Sequence, residues 1–532
     1  MGILFSTVQN GVKTLVSVVA LLRALSNEFN QALKRASQSP GLPNPEPTST
    51  YWLNDPPFPD LVNVRSPELA QTADVAIIGS GIAGAAIARS ILHERRRQSA
   101  GKREKVVVLE ARELSSGATA RNGGHIKPAV YDSFSRFSKT FSKDRAAALT
   151  RFQLRHVEAL IGLCDGEGIE AAEARKVETV DVFLDKETFD KAVEDVSEMK
   201  KWIPEVEIAV WDGPKAQERF GVNASVAGAL SYQAGAIWAY RFTVSIWKDL
   251  LTDFPDTLSI ETHTPVESVS VPDNGPPGFP YALQTARGTL HVRHVVHATN
   301  AFASHLVPGL RNKIVGARGH MSAQQPGRQF PRAGGMRSWS VVYGGGFDYV
   351  SQRPSASSDA QGDVMLGGGF MRSLKQGIDQ VGLYDDGVAL EPLTTSHIAG
   401  IFPAIFHPKW GAGAELKQVW SGIIGLTGDS LPFVGRLDKK LTGRNARDHG
   451  STLSSNKRYG EWVAAGFSGE GMVWAWLCGA GLGIMIAGVE EEELTEAPGR
   501  PGGKLADWFP AELLVSSKRM QTADVTNLAN QM

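Results

Sequence analysis

An apolar run from Asp74 to Ile78 stops at Gly79-Ser-Gly81-Ile82-Ala83-Gly84 and passes into a small-residue stretch that continues to Ile91. A second apolar run, Lys105 to Glu110, follows it. Strand, glycine turn, helix and strand in this order open a right-handed parallel βαβ unit, which restricts the fold more than anything else in the chain. In such a unit the first glycine permits the tight turn. The second lets the backbone approach a pyrophosphate, and the third lets the helix pack on the strand. The helix start at Ile82 and Ala83 would then offer free N–H groups and the positive end of its dipole to phosphate. Glu110 closes the second strand, where a carboxylate accepts hydrogen bonds from the ribose hydroxyls of an adenosine. The plainer alternative for either feature alone is a tight turn or a solvated strand-end carboxylate. Together they predict a dinucleotide-binding unit beginning near Asp74.

A chain of 532 residues suits two domains and can bury a large ligand. Its 21% charged residues and net charge of -1 give no basic surface, so nucleic acid is not expected as a partner. Cys164 and Cys478 stand far apart with no CxxC or Cys/His cluster, which argues against a disulfide framework or a metal site and for a reducing compartment.

Residues 1–36 read as an amphipathic helix, with Val8, Val12, Leu15, Val16, Val19, Leu22, Phe29 and Leu33 on one face. The apolar run between Lys13 and Arg23 falls short of the ~20 residues that a bilayer span needs. Met1-Gly2-Ile-Leu-Phe-Ser6 fits an acylation pattern, so a cytoplasmic protein with peripheral membrane contact through this helix is expected. The alternative is a helix that docks on the protein's own core. A mitochondrial presequence is disfavoured because Arg and Lys are sparse before Arg23. Residues 37–72, with Pro40, Pro43, Pro45 and Pro47, read as a Pro/Ser-rich linker. Farther on, Tyr281 to Gln284, Leu290 to Ala298 and much of Arg337 to Phe370 carry strand signals, the last as antiparallel sheet. Asp438 to Lys457 reads as a surface loop.

Five ordered stretches between Asp74 and Ala487 carry a resemblance. Gly117-Ala118-Thr119-Ala-Arg121-Asn122-Gly123-Gly124 follows the second strand, and Thr264-Pro-Val266-Glu-Ser-Val and Val295-Val-His-Ala-Thr-Asn300 come next. Trp420 to Gly435, with Gly425 and Asp429-Ser-Leu-Pro-Phe-Val-Gly, and Gly466-Phe-Ser-Gly469-Glu470-Gly471-Met472 complete the set. These are similar to landmarks of the D-amino-acid oxidase superfamily of flavoenzymes, in the branch with glycine oxidase, sarcosine oxidase and gamma-glutamylputrescine oxidase. Two positions depart from the family pattern: Asn300 replaces a glycine, and Glu470 stands where the family usually has His. Asn tolerates left-handed backbone angles, so that turn can survive.

The resemblance implies an α/β fold with an α+β second domain. A Rossmann-type FAD-binding domain would come from 73–130, 225–310 and 415–490, an antiparallel-sheet substrate domain from 131–224 and 311–414, and a tail from 491–532. It implies bound FAD, held by Gly79, Gly81, Ile82, Ala83, Gly84, Glu110, Ala118, Thr119, Arg121, Asn122, Gly123, Gly124, Val266, Gly425, Asp429, Gly466, Gly469, Glu470, Gly471 and Met472. FAD is expected to be non-covalent, because neither cysteine sits at a linking position and Arg121 occupies the neighbourhood of the linking His. The implied reaction moves a hydride from the C–H beside an amine of a small amine or amino acid to flavin N5, giving an imine that hydrolyses. Oxygen or another acceptor would reoxidise the flavin. An alcohol or hydroxy-acid dehydrogenase, and a non-catalytic binding protein of the Rab-escort type, are the alternatives. Tyr343, Tyr349, Arg353 and Arg372 are substrate-side candidates, an arginine being suited to clamp a carboxylate. His125 and His320 are further candidates, each equally readable as a packed histidine.

Overall fold

Near-continuous burial marks Thr72–Ile78 and Val106–Leu109 as strands covered on both faces, and they lie side by side in parallel at the centre of one sheet. Across this sheet the order is Phe433–Leu437, Gly460–Ala465, Gly288–His297, Thr72–Ile78, Val106–Leu109 and Leu258–Glu261. Ser268–Ser270 and Tyr281–Thr285 add an antiparallel meander beside Gly288–His297. Both ends of the chain thus contribute strands to one dinucleotide-type sheet. The computed structural model describes residues 27–98, 104–355, 361–387, 389–446 and 459–530.

The helix after the glycine turn, Ile82–Gln98, runs against a late one, Ala475–Ala487. A side chain at Gly479 would sit 2.7 Å from the Ala83 carbonyl, and one at Gly483 would sit 2.4 Å from the Ser90 Cβ. The glycines of the late helix are therefore set by close helix approach, which Ser90 Oγ reinforces by donating to the Ala480 carbonyl at 3.0 Å.

A second sheet runs Glu415–Thr427, Ile314–Gln325, Val364–Gly368, Gly346–Gln352, Arg337–Tyr343, Arg175–Phe183, Gly228–Ala236 and His125–Ile126, with Ala209–Asp212 beside Gly228–Ala236. One pair, Arg337–Tyr343 with Arg175–Phe183, is parallel, so the sheet is mixed rather than purely antiparallel. Its outer face packs an aromatic cluster of Phe330, Trp339, Phe402, Phe406 and Trp410 under the helix Pro392–Phe406. Its inner face meets the first domain through Tyr232, Met321 and Met365.

Sheet membership moves several expected boundaries. Strands Gly228–Ala236 and Glu415–Thr427, assigned by sequence to the nucleotide domain, pair in the second sheet. Residues 37–72 are a docked strap rather than a free linker: Trp52 is buried, Tyr51–Leu53 and Pro59–Val62 are short helices, and Thr48 Oγ1 donates to the Asp386 carbonyl at 3.0 Å. Residues 27–36 are helical, and Arg35 donates to the Val381 and Ile378 carbonyls while Ala36 packs with Val315 and Val525. The expectations for Gly2 and the stripe from Val8 to Leu22 lie outside the described residues. Within the Asp438 to Lys457 stretch, Lys439–Thr442 is a short helix, and 447–457 also lie outside the description.

The last segment is no loose tail. Trp508 and Phe509 pack on Phe152, and Arg519 clamps Asp429 through Nε and Nη2 at 2.8 and 3.1 Å. The side chains of this pair are only 9% and 15% exposed. Removing one partner of such a pair strands the other charge, at a cost of about 3 kcal/mol. Arg519→Ala should lower the apparent Tm by several degrees and open the segment after Pro510 to limited proteolysis; an unchanged Tm and digestion pattern would contradict the clamp.

Candidate functional site

Gly79 leaves the first strand at φ +106°, and a side chain there would strike the Ala298 carbonyl at 2.6 Å. A side chain at Gly84 would lie 2.1 Å from the Gly79 carbonyl, so the helix start is pressed onto the turn. Gly81 faces Thr119, whose Oγ1 would lie 2.9 Å from an added Cβ and accepts from the Ile82 amide at 3.0 Å. Glu110 holds this turn from the neighbouring strand: Ser80 donates to Oε2 through its amide and hydroxyl at 3.0 and 2.7 Å, and the Arg112 amide donates to Oε1. Ser115 and Trp247 both donate to the Ser80 carbonyl. The turn is thus fixed before any ligand arrives.

The loop that follows is pinned by two side chains. Asn122 Oδ1 accepts from the Gly124 amide at 2.7 Å while its Nδ2 donates to the Ala118 and Thr119 carbonyls. Gly124, at φ +66°, leaves no room for a side chain against the Ile237 carbonyl at 2.2 Å. Arg121 turns away into the protein, donating to Thr48, Ser116 and Ser421 and pairing with Asp386 at 3.3 Å. Burial lowers its pKa to about 10, against the opposing pull of Asp386, and the guanidinium stays charged near neutrality.

The second glycine turn, Gly466 to Met472, is anchored by Asn300. Asn300 adopts φ +45°, as its side chain allows, and its Oδ1 accepts from the Gly466 and Phe467 amides at 3.0 and 3.2 Å. Gly425 makes room for that Asn300 oxygen, 2.7 Å from an added Cβ. Gly469 and Gly471 have only single neighbours, 3.7 and 3.8 Å from an added Cβ, so this stretch of backbone borders open space. Glu470 accepts from Arg136 at 2.9 Å, from Gln153 at 3.1 Å and from Trp474 at 3.2 Å. Glu470 therefore brings a cation of its own to the place where a histidine was expected.

Over the loop lies the inner face of the second sheet. A side chain at Gly123 would meet the Tyr349 ring at 2.5 Å, and Tyr349 donates to Met321 Sδ at 3.1 Å. Ser351 donates to the Gly123 carbonyl. Strand alternation sends Asp348 to the opposite face, where it accepts from Tyr343 and sits 2.8 Å from His397. Tyr343, with Arg372 stacked 4.2 Å above its ring, thus faces away from the loop and leaves the set of substrate-side candidates. His320 leaves it too, because its Nε2 accepts from the Glu391 amide at 3.0 Å on the face opposite Met321. Arg353 already holds a carboxylate, that of Glu173, through Nε and Nη2, and lies 4.4 Å over the Trp238 ring.

One other cofactor assignment changes: the Asp429 carboxylate is taken by Arg519. Val266 sits in the irregular stretch before Ser268–Ser270 with its side chain in the core, and the contact expected of it was one through its backbone. Nearby, the Thr264 amide donates to the Glu110 carbonyl at 2.8 Å.

His125 stays beside the loop, buried, with Nε2 lacking a partner; burial holds its pKa well below the ordinary range, with Lys127 acting in the same direction. Two residues on, Lys127 joins a buried network in which Asp181 accepts from Lys127, Tyr131 and Tyr232. The sequence reading missed Asp132, Arg136, Gln153, Lys127 and Asp181. The one available signal was Glu470, an anion that needs a cation nearby.

The residues fit FAD. The Gly81 turn and the Gly469 turn are two helix starts preceded by glycine backbone, suited to the pyrophosphate and to negative charge on the reduced ring. Several buried polar atoms on the flanking segments, Ser116 Oγ, His125 Nε2, Arg136 Nε and Gln153 Oε1 among them, have no partner within the protein. An orphaned atom of this kind costs about 1–3 kcal/mol until something meets it.

Residues 74–483 match the family described as FAD dependent oxidoreductase. The chain belongs to that family. It is 22% identical to the "probable oxidoreductase OrdL" of Haemophilus influenzae over 84% of this chain and 90% of that protein. Among solved structures it is similar to glycine oxidase from Geobacillus kaustophilus, with a TM-score of 0.57 and 19% identity over 81% of this chain and 98% of that one. It is similar also to L-proline dehydrogenase from P. horikoshii, with a TM-score of 0.56 and 19% identity over 81% and 96%. Iminodiacetate oxidase from Chelativorans sp. BNC1 has a TM-score of 0.56 and 17% identity over 80% and 97%. These likenesses extend over most of the chain and give its fold. For this FAD-dependent oxidoreductase, Gly81→Val would push Thr119 off the Ile82 amide and fill the pyrophosphate approach. The variant should keep its far-UV circular dichroism and lose most of its flavin absorbance; full absorbance would show that the cradle lies elsewhere.

Proposed function

We propose that this oxidoreductase oxidises a small amine at the carbon next to nitrogen, releasing an imine that water hydrolyses. The reading is supported by the family match over residues 74–483 and by the weak basicity that burial imposes on the groups nearest the loop. His125 is held in its neutral form by burial, and burial pushes the Tyr349 hydroxyl up to about 12. Both are poor proton acceptors near neutrality. An alcohol gives up a hydride only as its O–H proton leaves to a base, whereas a neutral amine pushes the hydride out with its own lone pair. Immediately around the loop, such surroundings favour the amine. The solved structures of similar fold named as glycine oxidase, L-proline dehydrogenase and iminodiacetate oxidase support the same direction.

Bound FAD would supply a two-electron acceptor for the hydride. The chain's own part is positional. Gly123 and Gly124 bring the loop under the sheet, Tyr349 and Met321 close the space from above, and Glu470 with Arg136 borders it at the second turn. Because the reacting nitrogen must be neutral, flavin reduction at limiting substrate should rise with pH and level off once the free amine is deprotonated. Anaerobic stopped-flow bleaching checks this. Rapid reduction by hydroxy acids, or a rate that falls with rising pH for every amine tried, would contradict the proposal. Peroxide release in air would then separate an oxidase from a dehydrogenase.

A further inference from the structure

Four cationic side chains stand on or beside the flavin-side loop, the second glycine turn and the second sheet, and the chain neutralises each one itself. Arg121 pairs with Asp386 at 3.3 Å, Arg353 with both oxygens of Glu173, Lys127 with Asp181, and Arg136 with Glu470 at 2.9 Å. Asp132 breaks the pattern. It stands one helical turn before Arg136 on Val130–Ser138 and therefore on the same face. Among the described residues no hydrogen bond or ion pair reaches its carboxylate.

Asp132 is exposed, yet burial raises its pKa; Arg136 and Lys139 oppose that shift, while Glu470 and Asp195 add to it. An exposed carboxylate without a partner, on the helix face that reaches the second glycine turn through Arg136 and Glu470, is free to meet a cationic ligand. Arg136 and Glu470 share the position: their side chains keep 28% and 27% of their surface accessible, while burial works against the Arg136 charge and the two carboxylates sustain it. Unpartnered atoms gather here too. Arg136 Nε is buried without a hydrogen bond, and so is Oε1 of Gln153, a residue 0% exposed that donates to Glu470 through its other end.

Resting on the amine reading above, we propose that Asp132 is the anionic end of a substrate subsite that selects amines carrying a second, protonated amino group. The reacting nitrogen has to be neutral, and a carboxylate beside it would stabilise its ammonium form and slow the reaction. Asp132 therefore suits a non-reacting ammonium farther along the substrate. The carboxylate end of an amino acid finds the opposite situation, since Arg121, Lys127, Arg136 and Arg353 are already paired and Asp132 repels it. Taken together, Asp132, Arg136 and Glu470 carry one net negative charge beside the second glycine turn, which favours an added cation.

The test uses the FAD-loaded full chain and three probes of equal carbon length: putrescine, n-butylamine and γ-aminobutyrate. Anaerobic flavin bleaching should give the highest kcat/KM with putrescine and the lowest with γ-aminobutyrate. Asp132→Asn should cut the putrescine to n-butylamine ratio by about tenfold or more, mainly through KM. Asp132→Glu should restore part of that ratio. A preference for γ-aminobutyrate, or an Asp132→Asn variant that slows putrescine and n-butylamine equally, would overturn the subsite while leaving amine oxidation intact. If none of the probes reduces the flavin, the amine reading itself fails for these compounds, and calorimetric titration decides the subsite alone. Putrescine binding that weakens in Asp132→Asn supports it; no putrescine binding to the wild-type holoenzyme overturns it.

Discussion

The buried guanidinium of Arg121 is the tie on which the flavin-side loop depends. It joins four pieces of chain that are remote in sequence: the strap at Thr48, the loop at Ser116, the segment at Asp386 and the second-sheet strand at Ser421. A charge taken out of water is tolerable only when paired and hydrogen-bonded. Asp386 supplies the pair and also takes Arg112 at 3.0 Å, while backbone carbonyls take the remaining donors. Wherever Arg121 is satisfied, Asn122, Gly123 and Gly124 are held under Tyr349 and Met321, and the two domains are held in register.

The nucleotide half of the fold was legible because it is written in backbone-level constraints. Gly79, Gly84 and Gly124 are each forced by a contact within 2.6 Å of an added Cβ, and such needs leave a local signature that survives any surroundings. Asn300 in a glycine's place was legible for the same reason, since its tolerated φ is a local property. Sheet membership was not. Gly228–Ala236 and Glu415–Thr427 fell within the stretches 225–310 and 415–490 expected for the nucleotide domain, and only the register of their partners assigns them to the second sheet. The Pro-rich strap misled because proline frequency speaks against regular structure and says nothing about docking through Trp52 and Thr48.

The substrate side was legible only as a list of residue types. Tyr343 and Tyr349 look alike in sequence, yet pleat and register put one under the Pro392–Phe406 helix and the other over the loop. Arg353 looked like a carboxylate clamp and is one, for Glu173. The ion pair of Arg136 with Glu470 shows how a departure from a family pattern can carry information: an anion in place of a histidine, close to an anionic cofactor, calls for a compensating cation on a neighbouring helix.

Two glycine turns drawn from opposite ends of the chain and roofed by the second sheet would hold FAD without a covalent bond. Acid denaturation of the purified protein, followed by flavin quantification in supernatant and pellet, tests it most directly. The account predicts about one FAD per chain, all of it in the supernatant, as expected for a single dinucleotide cradle. Colourless protein, or flavin that stays with the precipitated chain, would contradict it.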